Sequence, residues 1–304
     1  MTLENRNVLI TGVSGFTGRY LSAALVDMGA VVHGFSSAPL DGAVTAINGQ
    51  NIAGCLTELE TLINAVELTS PDFVIHLAGI SFANHENALP YYDVNVLGTE
   101  NLLKACGRRA EKIRKIVIAS SAAVYGYPQN DIVSEGDALA PVSHYGVSKL
   151  AMEHIARTYS GRLPVTIVRP FNYTGPGQPE YFLIPKIVSH FVERKPIIEL
   201  GNSNIIREFS DVRDIVRYYC SLLEQDDVGA VNLCTGQSNS FADVIRTLTE
   251  ITGHEIMIEK NPKFVRKNDL LRLVGSSEKL IFKTKLRPEF TLRDTLVAML
   301  SAGK

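Results

Sequence analysis

Only four cysteines, Cys55, Cys106, Cys220 and Cys234, are scattered over the 304 residues, and none forms a Cys-x-x-Cys pair. That spacing argues against a disulfide framework or a zinc site and fits reduced thiols in a cytoplasmic protein. No run of Lys and Arg stands out, and the formal net charge is only −2. Nucleic acid and anionic membrane are therefore disfavoured as main partners. No apolar stretch approaches the ~20 residues that span a bilayer. The opening "MTLENRNVLI" lacks the basic-then-apolar layout of a secretory signal. There is also no internal repeat, low-complexity tract or long linker. What is present is ordinary globular material, 45 % apolar, in a length suited to one large or two modest domains.

The first half alternates short apolar runs with amphipathic stretches. "NVLIT", "AVVHGF", "NIAG", "PDFVIHLAG", "KIVIAS" and "PVTIVRP" read as strands. Helices are predicted from Phe16, around 57–68, over 87–106 and over 145–160. Most of these strands are continuous apolar runs, the pattern of strands buried on both faces, and the intervening helices imply parallel crossovers. The expected fold is α/β, a Rossmann-like doubly wound parallel sheet over residues 1–170. After Pro170 turn formers accumulate in "FNYTGPGQPEYFLIP". Residues 171–304 are expected to form a smaller α/β substrate lobe, with about 208–237, which includes the buried-strand pattern "AVNLCTG", returning to the first sheet.

"TGVSGFTG" follows a strand and opens a helix. Closely spaced glycines admit a pyrophosphate to the backbone, and a helix N-terminus offers free N–H groups. A ligand-free tight turn is the plain alternative, but the βα context favours a dinucleotide. The second strand ends in Ser36-Ser37, where an NAD-selective site usually carries a carboxylate. Hydroxyls tolerate a ribose 2′-phosphate, and Arg19, next to Gly18, could lie near it. NADP(H) is favoured, with NAD(H) as the alternative.

Tyr145 and Lys149 are one helical turn apart in "HYGVSK". A free tyrosine, with pKa ~10, is a poor acid–base at neutral pH. An adjacent ammonium and a cationic nicotinamide are expected to lower that value. A strand ending in Ser120-Ser121 precedes this pair, so a hydroxyl at that end could reach a carbonyl oxygen held over the nicotinamide. The plain readings are a strand-end cap for Ser121 and a core aromatic for Tyr145.

With "HLAG", "NVLGTENLL", "SSAAVYG", "YGVSK", "RPFNYTGPGQ", "REFSDVRDIV" and "VRKNDLLRLVGSSEKL" added to the glycine turn, the chain resembles the extended short-chain dehydrogenase/reductase family acting on nucleotide sugars, over nearly its whole length. Its second half looks most like the GDP-4-keto-6-deoxymannose reductases. The resemblance implies Ser121, Tyr145 and Lys149 as the catalytic set. It implies Gly12, Gly15, Phe16, Thr17, Gly18, Leu77, Ala78, Gly79 and Pro170 at the cofactor, with Tyr145 and Lys149. Ser81, Asn172, Arg207 and Arg266 would contact the nucleotide sugar, beside Ser121 and Tyr145. Arg266 also reads as a plain surface charge, and Asn95 as the fixing point of a helix bend. A homodimer through a four-helix bundle of the 87–106 and 145–160 helices is implied as well. One departure concerns the adenine end. Cys55 stands where relatives often carry Asp, which leaves Leu56 and the backbone to hold the base.

Ala122 and Ala123 narrow the chemistry. Family 4,6-dehydratases place a carboxylate pair in these two positions, and the epimerase–reductases that make GDP-fucose place a Cys in the first. A methyl group neither takes nor gives a proton, so dehydration and C3/C5 epimerisation are disfavoured. The reading that remains is NADP(H)-dependent reduction of a 4-keto-6-deoxy sugar on a nucleotide, of the kind that gives a GDP-rhamnose-type product. A 4-epimerase with tightly held NAD is the alternative, and a non-catalytic redox sensor or scaffold is a third.

Overall fold

The computed structural model describes residues 3–37, 46–81, 87–202, 205–226, 228–262 and 270–303. Six strands of the first half are β1 (Asn7–Thr11), β2 (Val31–Ser36), β3 (Asn51–Ala53), β4 (Phe73–His76), β5 (Lys115–Ala119) and β6 (Val165–Pro170). Further on come β7 (Tyr173–Thr174), β8 (Ile197–Leu200), β9 (Ile206–Arg207), β10 (Ser210–Asp211) and β11 (Ala230–Leu233). The last strands are β12 (Asn239–Ser240), β13 (Met257–Lys260) and β14 (Arg272–Leu273). One seven-stranded sheet runs in the order β11-β6-β5-β4-β1-β2-β3. Every pairing in it is parallel. The order reverses between β1 and β4, where a doubly wound sheet opens its ligand crevice.

Alternate residues of each strand serve opposite faces, which is why the strands read as unbroken apolar runs. Val8, Ile10, Ile75 and Val117 pack with α1 (Phe16–Asp27) on one side. Leu9, Val74, Ile116 and Ile118 pack with α2 (Leu59–Thr69) on the other. The predicted 87–106 helix is continuous but not regular. It comprises α3 (Leu89–Tyr92), one π turn (Asp93–Leu97) and α4 (Gly98–Gly107). Asn95 is buried inside the π turn, in agreement with the bend expected there. Next, α5 (His144–Thr158) starts on a Ser143 cap whose Oγ accepts from Gly146 N.

The smaller lobe has its own core. Ile187, Phe191, Ile198, Val244, Leu248 and Leu296 join α6 (Leu183–Val192), β8, α8 (Phe241–Thr252) and α10 (Leu292–Ala302). Between α6 and α8, α7 (Val212–Leu222) sends Ile215, Tyr218, Tyr219 and Leu222 into the α1 face of the main sheet. β11 pairs in parallel with β6 at the edge of that sheet. The remaining helix, α9 (Glu278–Thr284), contributes Leu280 to the same face.

Candidate active site

A cavity of about 1270 Å³ lies at the carboxyl ends of the parallel strands. Its wall begins with the glycine turn. Gly12 has φ +72°, and a Cβ there would sit 2.7 Å from Ala78 N. A Cβ on Gly18 would lie 2.5 Å from Gly12 O, so this glycine lets α1 approach β1. Gly15 caps α1 without a side chain, and no acidic residue stands in its first turn. The first-turn N–H groups thus face the cavity with neither a side-chain cap nor a carboxylate competing for them. That surface fits a pyrophosphate, so the residues present suit a nicotinamide dinucleotide.

All the remaining cofactor positions read from the sequence line this cavity: Phe16, Thr17, Arg19, Ser36, Ser37, Leu56, Leu77, Ala78, Gly79 and Pro170. Arg19 does so differently from the expectation, because its Nη2 donates to Gly177 O at 2.9 Å. Together with Tyr20 Oη to Pro176 O (2.8 Å) and Thr17 Oγ1 to Tyr173 Oη (2.6 Å), it ties α1 to the loop after β6. At the other end Cys55 Sγ sits 3.0 Å from Thr57 Oγ1, and Leu56 is buried beside Gly98.

Ser121, Tyr145 and Lys149 meet at the end of β5. Ser121 is indeed a cap, its Oγ accepting from Ala123 N at 3.1 Å, and its hydroxyl pulls the pKa of the neighbouring Tyr145 phenol down. Lys149 is buried and donates to Ala119 O at 2.9 Å. Burial pushes its pKa down to about 8, against the pull of Glu153 one turn away. The expectation for Tyr145 needs correction. Burial pushes its pKa up to about 12, and the neighbouring Ser121 hydroxyl only partly opposes this.

On the substrate side Ser81, Asn172 and Arg207 line the cavity, whereas Arg266 lies outside the described residues. Arg207 is steered by its Nη1 bond to Ile206 O (2.8 Å) and an Nη2 bond to Leu270 O. Sequence reasoning missed Val142, Gln178, Tyr181, Phe182 and Leu273 on the same wall. It also missed Glu208, a buried carboxylate beside Arg207 that accepts from Gly275 N (2.6 Å) and Thr235 N (2.7 Å). Burial raises the pKa of Glu208 to about 7, while these donors pull it down. The "RE" dipeptide opening a buried segment was the available signal. Ser120, read as structural, donates to the buried Glu153 at 2.6 Å.

Among the described residues no carboxylate and no histidine lines the cavity, whereas Arg19, Lys149 and Arg207 do. No His/Cys/Asp/Glu cluster among the described residues could hold a metal ion. Ala122 and Ala123 present methyl groups beside Ser121. A doubly wound sheet, a glycine turn and a Ser–Tyr–Lys set at a strand end define a nicotinamide-dependent enzyme of the extended short-chain dehydrogenase/reductase architecture.

The profile of the GDP-mannose 4,6 dehydratase family matches residues 9–299, so the chain belongs to that family. It is 35 % identical to a GDP-6-deoxy-D-talose 4-dehydrogenase of Aggregatibacter actinomycetemcomitans, over 90 % of both chains. It is 31 % identical to a GDP-6-deoxy-D-mannose reductase of Pseudomonas aeruginosa, over 97 % of this chain and 96 % of the relative. Among solved structures, RMD from Pseudomonas aeruginosa complexed with NADPH superposes with a TM-score of 0.85 at 28 % identity. That match covers 98 % of this chain and 99 % of the other.

Proposed function

We propose that this enzyme reduces the 4-keto group of a GDP-linked 4-keto-6-deoxyhexose at the expense of NADPH. The observation that carries the reading is the inventory of the cavity. Its proton-transfer groups at the β5 end are Ser121, Tyr145 and Lys149, with methyl groups where a dehydratase needs an acid and a base. A reduced nicotinamide held against the glycine turn and Leu77–Gly79 would supply the hydride for the carbonyl carbon. Ser121 and Tyr145 hydrogen-bond the carbonyl oxygen, and Tyr145 delivers its proton as that oxygen gains charge. A phenol held protonated far above neutral pH suits an acid better than a base. Lys149 places positive charge near the same centre, and Arg207 with Asn172 holds the diphosphate. The two relatives bear the names of GDP sugars that differ only in configuration at C4, which is the carbon a 4-ketoreductase sets.

Ser36 and Ser37 at the end of β2 support NADP(H), since no carboxylate there repels a 2′-phosphate. The substrate lobe in this proposal is 171–304 without the returning 208–237. The functional unit is a cytoplasmic homodimer through the α3–α4 and α5 helices, on which Leu89, Leu97 and Val147 are exposed. Leu97→Glu is expected to give a monomer in size-exclusion chromatography with light scattering.

The deciding experiment mixes the purified chain with NADPH and GDP-4-keto-6-deoxymannose and follows the nicotinamide absorbance. Stoichiometric consumption, lost in Tyr145→Phe while NADPH still binds, is the expected result. Proton NMR of the product then assigns it as the 6-deoxymannose (rhamnose) or 6-deoxytalose form. Sugar interconversion without net NADPH consumption would establish a 4-epimerase instead.

A further inference from the structure

His76 ends β4 immediately before the cofactor-lining residues Leu77, Ala78 and Gly79, and it is 1 % exposed. Both ring nitrogens are bonded to threonine hydroxyls: Nδ1 to Thr11 Oγ1 at 2.6 Å and Nε2 to Thr99 Oγ1 at 2.8 Å. Each hydroxyl has one proton to give. The Thr99 hydroxyl gives its proton to Asn95 O at 2.7 Å, so it accepts from His76. The imidazole then carries its single proton on Nε2, and Nδ1 accepts from Thr11. Thr11 Oγ1 in turn accepts from Ala78 N at 3.3 Å. The donors all run one way, from Ala78 N–H through Thr11, His76 and Thr99 to the carbonyl of Asn95. Burial, with the Lys149 charge nearby, drives the histidine pKa down to about 3, which keeps the ring in this neutral form.

Both ends of the chain lie at the site. At one end the Ala78 backbone stands 2.7–2.8 Å from where a Gly12 Cβ would be, so the two cofactor-lining segments are in direct apposition. At the other end Asn95 sits in the π turn. Its Oδ1 accepts from Ile80 N (2.9 Å), and its Nδ2 donates to Ser148 Oγ (3.0 Å). Ser148 Oγ donates to Tyr145 O at 2.8 Å. A Cβ on Gly79 would lie 2.8 Å from Asn95 Oδ1 and 3.3 Å from Lys149 Nζ. The Leu77–Ile80 segment is thus held at its start through Ala78 and at its end through Ile80. Both attachments converge on Asn95, and through Ser148 on the first turn of α5.

We infer that His76, fixed as the neutral Nε2–H tautomer, is a positioning residue that sets the cofactor segment Leu77–Ile80 against the glycine turn and the helix carrying Tyr145 and Lys149. This inference rests on the proposed function only for the cofactor class. Its test uses NADPH alone, without any sugar, so its failure is distinct from a wrong substrate.

The full-length protein and its Thr99→Val and Thr99→Ser variants are titrated with NADPH by nicotinamide fluorescence, with thermal melting in parallel. Valine removes the acceptor for His76 Nε2–H and the donor to Asn95 O, while serine keeps both. Thr99→Val is expected to weaken NADPH about tenfold, and Thr99→Ser to bind within about twofold of the parent. A Thr99→Val protein that melts lower but binds NADPH like the parent would reduce the chain to fold stability and overturn the inference. Nitrogen-15 NMR of the parent's imidazole at pH 7 decides independently if the valine variant does not fold. The Nε2–H signal supports the assignment, and an Nδ1–H or imidazolium signal refutes it.

Discussion

Arg169 and Glu153 meet as a two-pronged pair behind the end of β5, Nε to Oε1 at 2.9 Å and Nη2 to Oε2 at 2.7 Å, with both side chains buried. The remaining capacity of each is also used. Ser120 Oγ donates to Glu153 Oε1 at 2.6 Å, and Arg157 Nη2 donates to Oε2 at 2.8 Å. Arg169 Nη1 donates to Tyr125 Oη (2.9 Å), which donates to Asn232 Oδ1 (2.6 Å). The network joins α5, β6, β11 and the turn after β5 at one point. It flanks two of the cavity-lining residues at the end of β5, since Ser120 precedes Ser121 and Glu153 lies one turn beyond Lys149.

Breaking that pair from one side leaves a buried guanidinium without its counter-charge. Glu153→Gln is expected to cost ~3–5 kcal/mol of folding stability, measured by denaturant unfolding. The double variant Glu153→Leu/Arg169→Met should lose far less than the two single changes summed. A loss below about 1 kcal/mol in Glu153→Gln would show that the pair does not hold the site together.

Lys149 is expected to trade stability for function. Its folded pKa of about 8 lies below the ordinary 10.5, so the unfolded chain holds this proton more tightly than the folded one. Below pH 8 the folded protein carries the full cost of the buried charge. Between pH 8 and 10.5 that cost is released, so its stability rises with pH. Lys149→Met should therefore be inactive yet more stable at pH 7, by a few kcal/mol at ~1.4 kcal/mol per pKa unit. Its advantage should shrink towards pH 10.5. A stability difference independent of pH would contradict this.

Gly12→Ala should weaken cofactor binding. The residue needs a left-handed backbone, and the added methyl would press on Ala78. An NADPH dissociation constant raised at least tenfold is expected. Gly253→Ala is the control, because its φ of +64° is comparable but nothing lies within 4 Å of the added methyl. It should lose only ~1 kcal/mol of stability and bind NADPH normally.

Ser37→Asp tests the cofactor preference. Ser37 is exposed where β2 ends and lines the cavity. A carboxylate there should repel a 2′-phosphate and accept from a ribose 2′-hydroxyl. The ratio of kcat/KM for NADPH over NADH is expected to fall at least tenfold. An unchanged ratio would place the 2′ position elsewhere.

Local patterning carried much of this protein in the chain itself. The apolar runs, the glycine turn and the Tyr145–Lys149 spacing are nearest-neighbour properties of strands, turns and helices, so β1, α1 and α5 and the class of chemistry could be read directly. The alanines at 122 and 123 were equally legible, because the absence of a proton-carrying group needs no geometry. Tertiary structure alone decided which distant polar groups meet. Arg169 finds Glu153, His76 finds Thr11 and Thr99, and Arg19 turns to Gly177 because the packed fold brings these residues together, the first two groups away from water. Desolvation reversed the expected shift of Tyr145 for the same reason. A pKa responds to burial, and burial is not written in a four-residue spacing.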